Sequence, residues 1–284
     1  MQLDHRLLEA NQYALLSPLQ VDKRIVDLWP SDPVVPAELK GQPHLFPRLL
    51  RLGEISWDKR LRALDEANDY ARAHGRSVFS ALISSTASPV HVRNHLAKMM
   101  IRRVEGERML LRFYDPRVWT CLAWILAKAQ IDSLLGPIDV WTCPGESQDQ
   151  WIRYENTRSG DQAFLMDATQ LTAISTLASV HRVAQRLRDA REDLKGSFPL
   201  SERIYAEIEQ ARDKGLADAD DQESYAFISI SNKPGIHQRP EYKMLIEKSR
   251  LEPGAYRSLA SAICDQDNPE TSGEAEPNGV RQHG

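Results

Sequence analysis

Twice in the first half of the chain, a short apolar run leads to a capping residue and then directly to proline. Residues 77–84 (SVFSALIS) run into SSTASP, where Ser88 can cap and Pro89 takes the first helical position. Residues 108–114 (RMLLRFY) run into Asp115 and Pro116 in the same way. Proline lacks an N–H and fixes φ, which suits the first turn of a helix, so each junction reads as a strand ending and a helix beginning. The two helices carry Val92, Leu96 and Met99, then Val118, Leu122 and Ile125, on inner stripes, and the first should stop at Gly106. Such repetition predicts an α/β (α+β) lobe with a mixed sheet, its strands partly parallel.

Residues 13–16, 138–142 and 151–154 are further short strands. Pro30, Pro33, Pro36, Pro43 and Pro47 predict irregular chain over the surface. Pro47 makes residues 45–52 an edge strand at best. Ser56 should cap a helix running to about His74, with Trp57, Leu61, Leu64 and Ala71 on one stripe and Gly75 just past its end.

Near residue 160 the pattern changes. Leu171, Ile174, Leu177, His181, Ala184, Leu187 and Leu194 hold helical spacing. Ser201 should cap a second helix carrying Ile204 and Ile208 and ended by Gly215, with shorter helices over 221–231, 240–248 and 253–263. The expected organisation is an α/β lobe over 1–160, an all-α lobe over 165–263 and a disordered tail over 264–284. From Asp265 that tail holds five acids against one Arg.

The chain has 284 residues, 42% of them apolar and 27% charged, which fits a globular protein. Its net charge of −4 weighs against a dedicated nucleic-acid binder. Charge is uneven: between Gly41 and Arg112, thirteen Lys and Arg face seven Asp and Glu, about +6. That stretch is either a salt-bridged surface or a basic face for an acidic partner segment. The first residues do not read as a secretory signal, and the longest mostly apolar run, 118–127, is about half of the roughly twenty residues a membrane span needs. Cys121, Cys143 and Cys264 form no CxxC pair, which suggests a reducing compartment. The expectation is a soluble, cytoplasmic chain with no membrane and no nucleic-acid partner.

Signs of catalysis are sparse. His91 and His95 share a helical face, but neither an adjacent Glu nor a third ligand is evident, so no metal is expected. His181 reads as a core histidine and Cys121, among Trp119, Leu122 and Trp124, as a buried inert thiol. There is no GxGxxG, GxxxxGK[ST] or GxSxG. The loop from Ser84 to Ser88 could hold a phosphate at a helix N-terminus, but without glycines a capped turn accounts for it better. No cofactor is expected. An enzyme binding a phosphorylated ligand at that loop is the alternative reading, and a nucleic-acid adaptor using the basic stretch a weaker one.

The segment LLRFYDPRVWTCLAWIL, residues 110–126, resembles the signature of the type VI secretion effector-chaperone (Tap/Tec adaptor) family. Its core here is Phe113, Tyr114, Asp115, Pro116, Arg117 and Val118, preceded by Arg112. Tyr13-Ala14-Leu15-Leu16 upstream, Pro43-His44-Leu45 through Leu52 followed by Trp57, and Leu134-Leu135-Gly136-Pro137-Ile138 with Trp141 resemble the family's other segments in the same order. Ser17 stands where the family often has Asp, and the prolines from Pro30 to Pro36 are not obviously typical. The resemblance implies a cytoplasmic, non-enzymatic adaptor that binds a type VI effector (a toxin) and helps load it onto the VgrG spike.

Two readings of the motif remain open. As scaffold, Asp115 and Pro116 set the turn and Arg112 or Arg117 pairs with Asp115. As contact surface, Tyr114 and Arg117 lie exposed and anchor the effector. If the segment is a strand, Arg112 and Tyr114 face away from Met109, Leu111 and Phe113. Two partners imply two surfaces, with the effector expected on the α/β lobe and VgrG on an apolar groove of the helical lobe.

Overall fold

The computed structural model describes residues 3–19, 21–22, 29–104, 106–146, 150–158, 164–190 and 200–266. The chain divides into two compact units, residues 1–181 with 192–202 and residues 182–191 with 203–284.

The strands of the first unit are β1 (Tyr13–Leu16), β2 (Ser31–Pro33), β3 (Arg48–Arg51), β4 (Phe79–Ser84), β5 (Ile101–Val104), β6 (Glu107–Leu110), β7 (Val140–Pro144) and β8 (Trp151–Glu155). Six of them form one sheet in the order β2-β3-β1-β4-β7-β8, while β5 and β6 form a separate hairpin. Alternation along β1 sends Tyr13 and Leu15 into one apolar cluster and Ala14 and Leu16 into the other. A bulge opposite Leu15 and Leu16 leaves Ser80 without a strand partner, so Phe79 joins the second cluster beside Leu82. Helices α1 (His5–Glu9) and α2 (Trp57–His74) supply Leu7, Leu8, Leu64, Ala67 and Tyr70 to that second cluster. Helices α3 (Pro89–Met100), α4 (Pro116–Ile125) and α5 (Lys128–Leu135) supply Val92, Leu96, Trp119, Leu122, Ile131 and Leu134 to the first.

The expected α+β lobe is present, but every described strand pair is antiparallel rather than partly parallel. Runs such as YALL and FSALI are apolar on both faces, as in parallel sheets, because helices cover both faces here too. The strand–helix–strand reading fails at residues 101–110. There α3 gives way to β5 without reaching Gly106, and the hairpin turns at Gly106, whose φ of +87° suits glycine. The expected edge strand is also corrected. Pro47 precedes β3, costs the ladder no donor, and accepts the Val34 N–H at 2.8 Å, so β3 sits inside the sheet between β2 and β1. Ser56 precedes α2 as expected but makes no capping bond.

Helices α6 (Ala168–Ala190) and α7 (Leu200–Asp213) contribute residues to both units. Leu177, Ala184 and Leu187 are buried as their spacing predicted; Leu194 lies outside the described residues. The expected Ser201 cap is one residue inside α7, whose first N–H groups, on Leu200 and Ser201, donate to the Glu146 carboxylate at 3.2 and 3.3 Å. The second unit adds α8 (Ala219–Ser231), α9 (Pro240–Leu251) and α10 (Ala255–Gln266), and no strand occurs among its described residues. Helix α10 runs three residues into the span expected as tail; the rest of that tail lies outside the described residues. Tyr225, Tyr242, Leu245, Ile246 and Tyr256 form its core. Asp221, fully buried, accepts the Gly254 and Arg257 N–H groups at 2.8 Å each and so caps α10 from within the unit. No described helix is long and apolar enough to cross a membrane.

Candidate functional site

The segment that drew attention in the sequence is a turn. Asp115 N–H donates to Arg112 O at 2.9 Å, closing residues 112–115 between β6 and α4. Strand parity therefore does not apply, and Phe113 and Tyr114 are both buried, at 1% and 2% exposure. The reading that placed Tyr114 on the surface is thus corrected. Phe113 lies 6.3 Å from Trp119 and 6.0 Å from Trp141 between ring centres, and Trp119 stacks on Trp141 at 4.6 Å. Burial pushes the Tyr114 phenol above its ordinary pKa.

Asp115 accepts the Arg117 N–H at 3.1 Å, capping α4, and Pro116 follows at the first helical position. The same carboxylate takes the Arg117 guanidinium in a two-pronged pair, at 3.1 Å from Nε and 2.7 Å from Nη2. Arg112 stands 3.9 Å away and leans over the Tyr114 ring. Burial acts to raise the Asp115 pKa, but the hydrogen bonds and charge of Arg117, with Arg112 beyond, outweigh it and hold the carboxyl below the usual range. Arg112 and Arg117 offer their side chains to solvent, 41% and 61% exposed. The scaffold reading describes this geometry: the motif builds a turn and a core and leaves two tethered arginines outside.

The other segments join the same core in part, since Ala14 and Leu16 belong to the second cluster and Leu45 and Trp57 are exposed. Tyr13, Leu15, Leu49, Leu134, Leu135, Ile138 and Trp141 all belong to the cluster that holds Phe113 and Tyr114. Tyr13 also donates its hydroxyl to Ala87 O at 2.8 Å. Gly136 has φ +55°, and a Cβ there would collide with the His95 ring. His95 Nε2–H donates to Leu134 O at 2.9 Å, so this histidine locks α3 to the end of α5. His91 is exposed, and among the described residues no group of three His, Cys, Asp or Glu could hold a metal ion. Burial pushes the Cys121 thiol up to about 12; it lies 3.8 Å from His181 Nε2, which also reaches Arg117 O at 3.3 Å. His181 is half-buried rather than in the core.

The Ser84–Ser88 loop uses its donors within the chain. Ser85 N–H donates to Gln12 Oε1 at 3.0 Å, Ser85 Oγ to Pro137 O at 2.7 Å, and Thr86 N–H to Asp139 Oδ2 at 3.2 Å. Ser88 Oγ accepts the His91 N–H at 3.4 Å and caps α3. The Asp139 carboxylate already takes the Thr86 N–H, and a second anion beside it would be repelled, so the loop geometry fits a capped turn. Sequence reasoning missed Asp132. It is buried in α5, accepts Thr157 Oγ1 at 2.5 Å and Thr157 N–H at 3.2 Å, and pairs with Lys128. In the sequence it is one acid among many, and no local signal separates it.

A family model described as a domain of unknown function (DUF4123) matches residues 42–133, about a third of the chain, including the Arg112–Arg117 turn. No curated protein matches the chain. No solved structure matches it.

Proposed function

We propose that this chain is a cytoplasmic, non-enzymatic adaptor that binds a type VI secretion effector and helps load it onto the VgrG spike. One observation carries the reading: the ordered segments around Phe113-Tyr114-Asp115-Pro116-Arg117-Val118, which resemble the effector-chaperone signature and centre on the matched domain. Each of these segments places residues in the core that holds Phe113 and Tyr114, among them Tyr13, Leu15, Leu49, Leu134 and Trp141, as the parts of one scaffold should. A binding module needs surfaces rather than an activated nucleophile. The described thiols fit that role, since burial raises the pKa of both Cys121 and Cys143. For a second partner, the helical unit offers Met244 and Leu251, seven residues apart on α9 and exposed at 68% and 85%.

The test is co-purification of the full chain with the effector encoded beside it and with VgrG. Capture of both supports the adaptor role. A folded chain that binds neither removes it.

A further inference from the structure

The prolines between residues 30 and 47 find a use in the folded chain. Residues 33–43 stand opposite α3, and a cavity of about 410 Å³ opens between them. Val34 and Phe46 anchor this segment in the core, at 0% and 2% exposure, and the Val34 N–H is tied to Pro47 O. Val35, half-buried and packed against the same core, also lines the cavity with Pro33 and Pro43. On the facing helix, Val92 and Leu96 point into the core, which leaves Arg93, Asn94 and Ala97 to form the other wall. Proline fixes φ, so the wall is formed in advance and little ordering entropy is lost when something binds.

Charge identifies the occupant. Lys40 on one wall and Arg93 on the other make no ion pair or side-chain hydrogen bond among the described residues, and no acid lines the cavity. Several arginines of this unit have acidic partners, Arg51 with Asp32 and Glu54, Arg117 with Asp115, and Arg158 with Asp139, whereas Arg62, Arg103 and Arg108, like Arg93, have none among the described residues. Two unmatched cations across a floor of Val35, Ala97 and two prolines suit a carboxylate flanked by apolar side chains. A small inorganic anion would leave the apolar walls wet. Strand addition is disfavoured because β2 is an edge strand ending at Pro33, which has no N–H to offer.

We infer that the groove between residues 33–43 and α3 seats an extended acidic segment of the effector, with a carboxylate held between Lys40 and Arg93. The inference rests on the adaptor reading for the identity of the partner; the chemistry of the groove stands apart from it. The α3 wall and Pro43 lie within the matched domain, and residues 33–40 precede it, so the groove joins the shared scaffold to chain outside it.

Two probes separate the claims: the purified effector from the adjacent gene, and a fluorescein-labelled peptide of alternating Glu and Val with its Lys-for-Glu counterpart. Affinity is measured with the full chain and with Lys40→Glu, Arg93→Glu, Arg93→Lys and Asn94→Trp. Asn94 is exposed, so Trp there blocks the groove without entering the core. Arg62→Glu, exposed on α2, is the charge control. Unchanged melting shows that each variant is folded. The expected result is that the acidic peptide binds and competes with the effector, the basic one does not, and both charge reversals and Asn94→Trp weaken both ligands by about tenfold or more. Arg93→Lys and Arg62→Glu should bind nearly as the parent does. If the parent chain binds the peptide but no effector, the adaptor reading falls and the groove chemistry stands. If it binds the effector and the groove variants bind equally well, the groove assignment falls alone. Peptide binding that appears only after deletion of residues 267–284 would make the chain's own acidic tail the occupant, and a dimer dissociated by Arg93→Glu would make it a second copy. Either overturns the assignment.

Discussion

At Asp115 one carboxylate caps α4 and holds the guanidinium of Arg117. Removing it should cost about 1–2 kcal/mol, mostly the cap, because the exposed Arg117 stays solvated when its partner is gone. Asp115→Ala should therefore lower the urea midpoint at unchanged slope, with Asp115→Asn falling between it and the parent. An Asp115→Ala protein of full stability that had lost its cargo would make Asp115 a contact residue instead. In the second unit, His237 is buried against Tyr225, their ring centres 3.7 Å apart. Its Nε2–H donates to Tyr225 O at 3.3 Å, and its Nδ1 accepts from the Tyr256 hydroxyl at 3.1 Å. Burial lowers its pKa to about 4, against 6.5 for the free side chain. The unfolded chain thus binds a proton that the folded chain refuses between about pH 6.5 and 4, and stability must fall as the pH drops through that window. The loss from this one group is at most about 3 kcal/mol. Burial lowers His95 as well, so it adds to the same slope. His237→Phe should flatten, without abolishing, the fall of melting temperature between pH 7 and 4.5. An unaltered slope would show that His237 does not titrate there. Burial alone distinguishes His237 from the exposed His91; as letters in a sequence the two are alike.

Among the elements, the link between α3 and the end of α5 has the least tolerance. Gly136 combines a positive φ with the His95 ring lying where a side chain would begin. Gly136→Ala should destabilise by about 3 kcal/mol or more, through backbone strain and the clash together. His95→Ala in the same chain should recover part of that loss, measured by chemical denaturation. No recovery would mean that backbone strain alone accounts for the effect. The capped helix starts at Ser88-Pro89 and Asp115-Pro116 were legible because their physics is local: one side chain, one ring and a few N–H groups within four residues. Strand direction was not legible. An apolar run reports that both faces are covered, and helices cover both faces of this sheet whichever way its strands run. The 112–115 segment was misread for a related reason. Its alternation with Met109 and Leu111 suggested a strand, but the turn closed by Asp115 N–H on Arg112 O ended that pattern just past Leu111.

For the molecule as a whole, the adaptor reading requires two partners and so two separable surfaces. Met244→Asp with Leu251→Asp, both exposed on α9, should leave folding intact and weaken VgrG capture while effector binding persists. Groove variants at Lys40 and Arg93 should do the reverse. If both sets of variants lost the same partner, the two-surface arrangement would be wrong. By itself the sequence determined the change from strand–helix alternation to sustained helices and the two proline-opened helices. Each follows from hydrophobic period or cap chemistry, which act over a few residues. Only the tertiary structure decided which way the strands run, which histidine is buried, and that Tyr114 faces inward. It alone brought Lys40 across from Arg93. Fifty-odd residues separate those two cations, and nothing local couples them. Their meeting depends on Val34 and Phe46 finding the same core as Val92 and Leu96, a non-local packing choice that no short stretch of chain encodes.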